Sequence, residues 1–287
     1  MIPDMVIVGH IAHDLQADGS YQIGGTVTYA GILAYKMGLR VGIVTSATVE
    51  LCIKLQGLLP NAIIMNVASS TDTVFENRYI DGKRQQIIHS RASIITADAV
   101  PNDWQQAQIS LLAPIANEVD PSVAMMFVGK YRVATPQGWL RDWDNEGLVF
   151  PMPWRNSEYI LPFLDIIILS TEDLATIVPT VHDRIDLLQE WSKTVSLLVL
   201  TDGPNNATYW FEGVQQEVPA FAVQEIDPTG AGDIFAAAVL IALRERKDMK
   251  AIMMFAHAAA ACVIQSPGIS GIPDLVDIAA FLNDHTK

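Results

Sequence analysis

Seven short apolar runs rich in valine, isoleucine and leucine punctuate the chain, at Met5–Val8, Val41–Thr45, Ala62–Val67, Ile109–Leu112, Val123–Val128, Ile166–Leu169 and Leu197–Leu200. They are apolar almost throughout instead of at every second position, as expected of strands buried on both faces. Segments of helical length separate many of them. Strands alternating with helices predict an α/β fold, a doubly wound sandwich around a mainly parallel sheet, in a single domain spanning residues 1–287.

Two stretches break this pattern. Residues 11–23 are polar and contain glycine, and residues 72–92 alternate in character on both sides of Asp81-Gly82, a type I′ hairpin signal. They are expected to pair as a small antiparallel sheet projecting from the body, suited to act as a lid. Its edge strands leave open whether it covers its own site or joins the lid of a second copy in a homodimer. Between them, Gly24-Gly25 opens a helix expected to run through Leu39, where either a tight turn or close approach of a ligand would call for glycine.

Half of the 287 residues are hydrophobic and 17% are charged, enough for a large core. With 18 basic and 32 acidic residues the net charge of −14 disfavours nucleic acid and acidic membranes as partners. The densest basic spots, Lys83-Arg84 and Lys130-Tyr131-Arg132, read as solvated turns. An anionic substrate would need local cations or a metal to offset the overall field, and magnesium is the natural candidate. Cys52 and Cys262 lack metal-type spacing and read as reduced, buried thiols, which suits a cytoplasmic location. Ala251–Ile264 is apolar but too short to span a membrane, so it reads as a core helix.

The chemistry concentrates at Asp227–Asp233, D-P-T-G-A-G-D, which leads directly into the apolar stretch Ile234–Leu243. Gly230 and Gly232 allow close backbone approach. A helix starting there leaves N–H groups unpaired at the positive end of its dipole, a nest for phosphate. A carboxylate beside an anion site repels the anion unless it has a task, such as taking a proton from an attacking hydroxyl. Helix capping is the plainer reading of Asp233, although Thr229 already offers a capping oxygen. The helix N-terminus should lower the pKa of Asp233 and make it a weak base.

No P-loop, dinucleotide fingerprint, H-E-x-x-H or G-x-S-x-G is present, and His10 and His13, although spaced to share a helix face, have no accompanying ligand set. Asp14, Gly24-Gly25 and D-P-T-G-A-G-D, in that order, resemble the ribokinase-like (PfkB) carbohydrate kinase family, as does F-A-H-A-A-A-A at Phe255–Ala261. The resemblance implies a three-layer sandwich with a small β lid. It also implies an ATP-dependent kinase that uses Mg²⁺ and, in many members, K⁺, acting on a hydroxyl of a small polyol or sugar. It makes Asp233 the catalytic base and the amides of Gly230, Ala231 and Gly232 an anion hole. Asp14, Gly24, Gly25 and Tyr29 fall at substrate positions, Thr201, Gly203 and His257 at nucleotide positions, and Asp227 and Thr229 beside the monovalent cation.

Two departures qualify the match. The family's N-x-x-E, which organises Mg²⁺ through water, is replaced by Ser170-Thr171-Glu172-Asp173, leaving Asp173 as the surviving carboxylate. Tyr29 stands where ribokinases place a sugar-contacting Asn, disfavouring ribose. G-G-T-V-T-Y-A together with F-E-N-R-Y at Phe75–Tyr79 is more similar to inositol-kinase-type members. The alternatives are a nucleoside kinase, with Tyr29 or Trp139 stacking on a base, and a catalytically weak nucleotide- or sugar-binding sensor.

Overall fold

A computed structural model describes all residues except 81–82, 179, 246–247 and 286–287, and it leaves out the side chains of residues 79–80, 83–84 and 176. In chain order, its first half comprises β1 (Met5–Val8), β2 (Ala12–Leu15), β3 (Tyr21–Gly24), α1 (Thr26–Lys36), β4 (Val41–Ala47), α2 (Val49–Leu58), β5 (Ile63–Ala68), β6 (Thr73–Ile80), β7 (Lys83–Ser90), β8 (Ile109–Leu112), β9 (Tyr131–Ala134), β10 (Arg141–Trp143) and β11 (Val149–Pro151). Its second half comprises α3 (Ser157–Ile160), β12 (Ile166–Ser170), α4 (Thr171–Ile177), α5 (Val181–Thr194), β13 (Leu197–Thr201), β14 (Asn206–Phe211), β15 (Val214–Pro219), α6 (Ala231–Arg244), α7 (Met249–Val263) and α8 (Leu275–His285).

One nine-stranded sheet, ordered β15-β14-β13-β12-β9-β8-β1-β4-β5, forms the body. It is parallel from β5 to β13, and in the β14–β15 hairpin only β14 runs against the rest, β15 returning to the common direction. Successive residues of each inner strand feed opposite cores. Met5, Ile7, Ile166 and Ile168 pack toward α1, α6 and α7, whereas Val6, Val8, Ile167 and Leu169 pack toward Trp139, Trp154 and Trp191. The strands are continuously apolar because both faces are covered, so the α/β sandwich holds. α7, with Ala256, Ala258 and Ala259 fully buried, is the expected core helix, and no described helix is long and apolar enough to cross a membrane.

A second, four-stranded sheet ordered β3-β2-β6-β7 joins the two stretches that broke the pattern. It is mixed instead of antiparallel, because β2 and β6 run parallel while the flanking pairs are antiparallel. The Asp81-Gly82 turn lies outside the described residues, as do the side chains of Lys83 and Arg84. A hairpin not anticipated from the sequence, β10–β11, leans on this sheet through a bridge between Ile87 and Leu148 and a bond from Ile88 N to Gly147 O of 2.8 Å.

Several local expectations give way to side-chain chemistry. Val123–Val128 is not a strand: Asp120 caps a 3₁₀ turn at Pro121–Met126, accepting from Ser122 N at 2.9 Å, and Val128 is exposed. The strand comes later, at Tyr131–Ala134, and its Arg132, expected in a solvated turn, forks onto Asp165 at 2.8 and 2.7 Å. α1 ends at Lys36, before Leu39. Cys52 and Cys262 are free thiols, half-buried instead of buried, and burial pushes Cys262 up to about 11.

The junction between the nine-stranded and four-stranded sheets is built on buried polar groups. Glu118 is fully buried, and its carboxyl oxygens accept from the backbone N–H groups of His10 (2.9 Å), Ile115 (3.0 Å) and Ala116 (2.7 Å). His10 shares no helix face with His13, which lies on β2 beside Asp72 at 3.7 Å. The His10 ring is held neutral by burial, with Nδ1 at 2.7 Å from Thr73 Oγ1 and Nε2 at 2.8 Å from Ser93 O. Nε2 therefore carries the proton and Nδ1 accepts from the Thr73 hydroxyl.

Candidate active site

The carboxyl ends of β8, β9, β12 and β13 face the four-stranded sheet across a cleft of about 500 Å³, the position where open α/β sheets bind ligands. Its walls include Asp14, Gly25, Thr26 and Tyr29 from the N-terminal part and Ser170–Asp173, Thr201 and Gly203 from the strand ends. The floor is Pro228–Asp233. Sequence positions far apart thus meet in one place.

D-P-T-G-A-G-D delivers the start of α6 to that floor. The N-cap is Gly230, left-handed at φ 80°, with no side-chain cap, so Thr229 does not fill the role its position suggested. A Cβ at Gly230 would lie 2.3 Å from the Tyr29 ring, whereas one at Gly232 would meet nothing within 4 Å. The first loop therefore rests on Tyr29 and the second glycine opens onto the cleft. The Ala231 amide donates to Pro228 O at 3.2 Å, closing a turn at the start of α6. Gly232 and Asp233 lie in the first helical turn, where N–H groups have no partner four residues back.

Asp233 is half-buried, enclosed by protein and open to the cleft, and its Oδ1 accepts from the Thr26 hydroxyl at 2.7 Å. Burial raises its pKa to about 6. The Thr26 bond and the positive charge of Arg141 pull the other way, and Asp14 and Asp173 add to the rise. The helix N-terminus was expected to leave Asp233 a weak base; burial instead raises its pKa, which makes it a stronger one.

Gly24 and Gly25 shape the side of the cleft that Asp14 lines. A Cβ at Gly24 would fall 2.1 Å from Asp14 Oδ2, and Gly25, at φ 87°, lies against His10 O. Gly24→Ala is therefore expected to displace Asp14 and raise the acceptor KM at least about tenfold with a smaller change in kcat, checked by steady-state kinetics. Tyr29 is 2% exposed, and burial drives its hydroxyl pKa well up, so the ring chiefly supports Gly230.

The Ser170–Asp173 departure closes on itself. Ser170 caps α4, accepting from Asp173 N at 3.0 Å and donating to Asp173 Oδ2 at 2.7 Å. Asp227 spends both carboxyl oxygens on backbone, accepting from Thr229 N at 2.9 Å and Gly268 N at 2.8 Å.

Neither His257, expected at a nucleotide position, nor Trp139, weighed only as a base-stacking alternative, lines this cleft. His257 is buried on α7, its Nε2 3.1 Å from Val218 O and its ring edge-on to Phe235, and burial pulls its pKa to about 4. Trp139 is buried too, stacked on Trp154 and donating to Val119 O at 2.8 Å, so it does not reach a base. Thr201 and Gly203 do line the cleft.

Sequence reasoning missed Arg141. It is the only cationic side chain among the described residues lining the cleft, against Asp14, Glu172, Asp173 and Asp233. A single arginine in no motif gives no signal in one sequence.

Residues 154–275 match the pfkB family of carbohydrate kinases. A Bacillus subtilis ribokinase is 35% identical over 108 residues, covering 35% of this chain and 37% of that protein, so the chain spans little more than a third of that relative's length. A pyrophosphate-dependent kinase of the ribokinase family, solved with a pyrophosphate analogue and myo-inositol, superposes with a TM-score of 0.80 at 21% identity over 96% of this chain and 99% of its own. Arabidopsis thaliana ribokinase with ribose and ATP gives 0.74 at 19%, over 98% and 99%. Residues 154–275 thus resemble the pfkB carbohydrate kinases, and the whole chain has the ribokinase-like fold.

Proposed function

We propose that the chain is a phosphotransferase carrying the terminal phosphoryl group of a magnesium-bound polyphosphate, ATP in the first reading, to a hydroxyl of a neutral polyol or sugar. The observation that carries this is Asp233: a carboxylate raised to about 6, held by Thr26, beside an α6 N-terminus that no side chain caps. A base and an anion site adjoin one another there.

In the proposed reaction the acceptor oxygen attacks the terminal phosphorus, its proton passes to Asp233, and the phosphorus–oxygen bond to the donor breaks with its electron pair leaving on the donor diphosphate. Phosphoryl transfer of this kind depends mostly on positioning and charge stabilisation. First-turn amides at Gly232 and Asp233 face the transferred group. Asp14, Asn77 and Gln137 offer hydrogen bonds to hydroxyls while Phe75 and Ile115 give an apolar wall, a combination suited to a ring with polar edges and a C–H face. The inositol complex of the structural relative favours a cyclitol.

Four carboxylates against one guanidinium would repel a polyphosphate, so the cleft fits a donor that brings its own divalent cation. Among the described residues no three metal-binding side chains converge, and magnesium held by one carboxylate plus donor phosphates requires none. Asp173 or Glu172 would hold it, and it would neutralise charge on the donor. A second donor reading, inorganic pyrophosphate, is favoured by the inward turn of His257, which leaves that residue bonded to Val218 O instead of facing the cleft.

The test is a thermal-shift screen of inositols, pentoses, hexoses and nucleosides with a non-hydrolysable ATP analogue or a pyrophosphate analogue, followed by turnover with the binders. Binding raises the midpoint by mass action. The expected result is stabilisation by one neutral polyol class and phosphate transfer to it. Stabilisation without transfer for every binder would favour the sensor reading, and a nucleoside as sole acceptor would overturn the polyol assignment.

A further inference from the structure

Arg141 begins β10, in the hairpin that leans on β7, and it is wired to both sides of the cleft. On the lid side its Nη1 donates to Gln86 Oε1 at 3.1 Å, and Gln86 Nε2 donates to Asn77 Oδ1 at 3.2 Å across the β6–β7 pair. On the body side its Nη2 lies 3.5 Å from Asp173 Oδ1, while Asp173 Oδ2 accepts from Ser170. Side chains thus run from the lid sheet to the end of β12 through one guanidinium.

The contrast with Arg132 is informative. Arg132 forks onto Asp165 at 2.7 and 2.8 Å, the short paired geometry of a structural ion pair, and it lies outside the cleft. Arg141 contacts Asp173 at the long limit of a charge-assisted bond and lines the cleft together with Asp233, close enough for its charge to act on that carboxylate. A phosphoryl group passing from the donor at Ser170–Asp173 to an acceptor at Asp233 would come within reach of that cation.

Resting on the kinase reading above, we propose that Arg141 is a catalytic residue of the transfer, its guanidinium meeting the non-bridging oxygens of the phosphoryl group in flight. Gln86 acts as a positioning residue that sets the guanidinium from the lid. Charge on those oxygens is greatest while the group is between donor and acceptor, so a cation placed there lowers the barrier more than it tightens donor binding. The one cationic side chain among the described residues of the cleft, set against four carboxylates, thereby has a specific task, and Asp173 of the Ser170–Asp173 run supplies the oxygen that holds Arg141 from the body.

The experiment compares wild type with Arg141→Gln, Arg141→Lys and Gln86→Ala, using Mg·ATP and Mg·pyrophosphate as donors and neutral polyols as acceptors. The readouts are kcat, donor KM, thermal midpoint, and affinity for Mg·ADP with and without aluminium fluoride. Arg141→Gln should lose kcat on the order of 10³-fold, the scale of an arginine that stabilises phosphoryl transfer. Its donor KM should stay within about tenfold, and the extra affinity conferred by aluminium fluoride should disappear. Arg141→Lys should recover part of kcat, and Gln86→Ala should lose about tenfold in kcat with the midpoint unchanged. An Arg141→Gln enzyme with wild-type kcat, or with its loss confined to acceptor KM, would overturn the proposal and leave the kinase reading standing. Absence of transfer by the wild type to every acceptor from either donor would remove both.

Discussion

Asp233→Asn loses turnover by on the order of 10²–10⁴-fold, the contribution of a positioned general base, while donor binding survives. The side chain keeps its size and still accepts from Thr26, so α6 starts unchanged and the anion site persists. What disappears is the proton acceptor. The pH profile follows with a definite sign: burial raises the folded pKa to about 6, with Asp14 and Asp173 adding to the rise, so protonation below that value removes the base. The free-enzyme kcat/KM should therefore rise through about pH 6 and level off above it. A profile flat down to pH 4 would contradict the role of Asp233.

Glu118→Ala is expected to cost the most stability of any substitution considered, roughly 3–5 kcal/mol, because it leaves three buried N–H groups without an acceptor. The thermal midpoint should fall by on the order of 10 °C. Ile115, one of the residues so held, lines the cleft and lies against Gly25, so catalysis should suffer at temperatures where the variant remains folded. Glu118→Gln keeps one accepting oxygen and should recover part of the loss. Calorimetry showing an unchanged midpoint for Glu118→Ala would refute the view of this carboxyl group as the tie at the junction.

Much of the body was legible because burial on two faces imposes a simple rule on composition. Met5–Val8 and Ile109–Leu112 were located to the residue, since a central parallel strand has no solvent face to interrupt its apolar run. That rule misled at Val123–Val128, where Asp120 and Pro121 set up a 3₁₀ turn, and at Tyr131-Arg132, where a central strand begins with polar residues because Arg132 has a carboxylate partner in Asp165. Partners distant in sequence leave no trace in local pattern.

The candidate site divides in the same way. Asp14, Gly25, Thr201, Gly203 and Gly230–Asp233 all line the cleft, and the signal was clearest where glycines and a carboxylate gather at a helix start. His257 does not, since an apolar helix can take up a neutral histidine bonded to a neighbouring carbonyl. Thr26 and Arg141 went unnoticed: the hydroxyl of one and the charge of the other matter only through Asp233, Gln86 and Asp173, which lie far away in the chain.

The central claim is that this cleft moves a phosphoryl group to an alcohol with Asp233 as base. The most direct measurement incubates the wild type and Asp233→Asn with Mg·ATP or Mg·pyrophosphate and a panel of neutral polyols, and detects phosphate monoesters by mass spectrometry. The account predicts a monoester of one polyol class from the wild type, and formation at least about a hundredfold slower from Asp233→Asn. Monoester formed at equal rates by both proteins, or by neither with any acceptor, would contradict it.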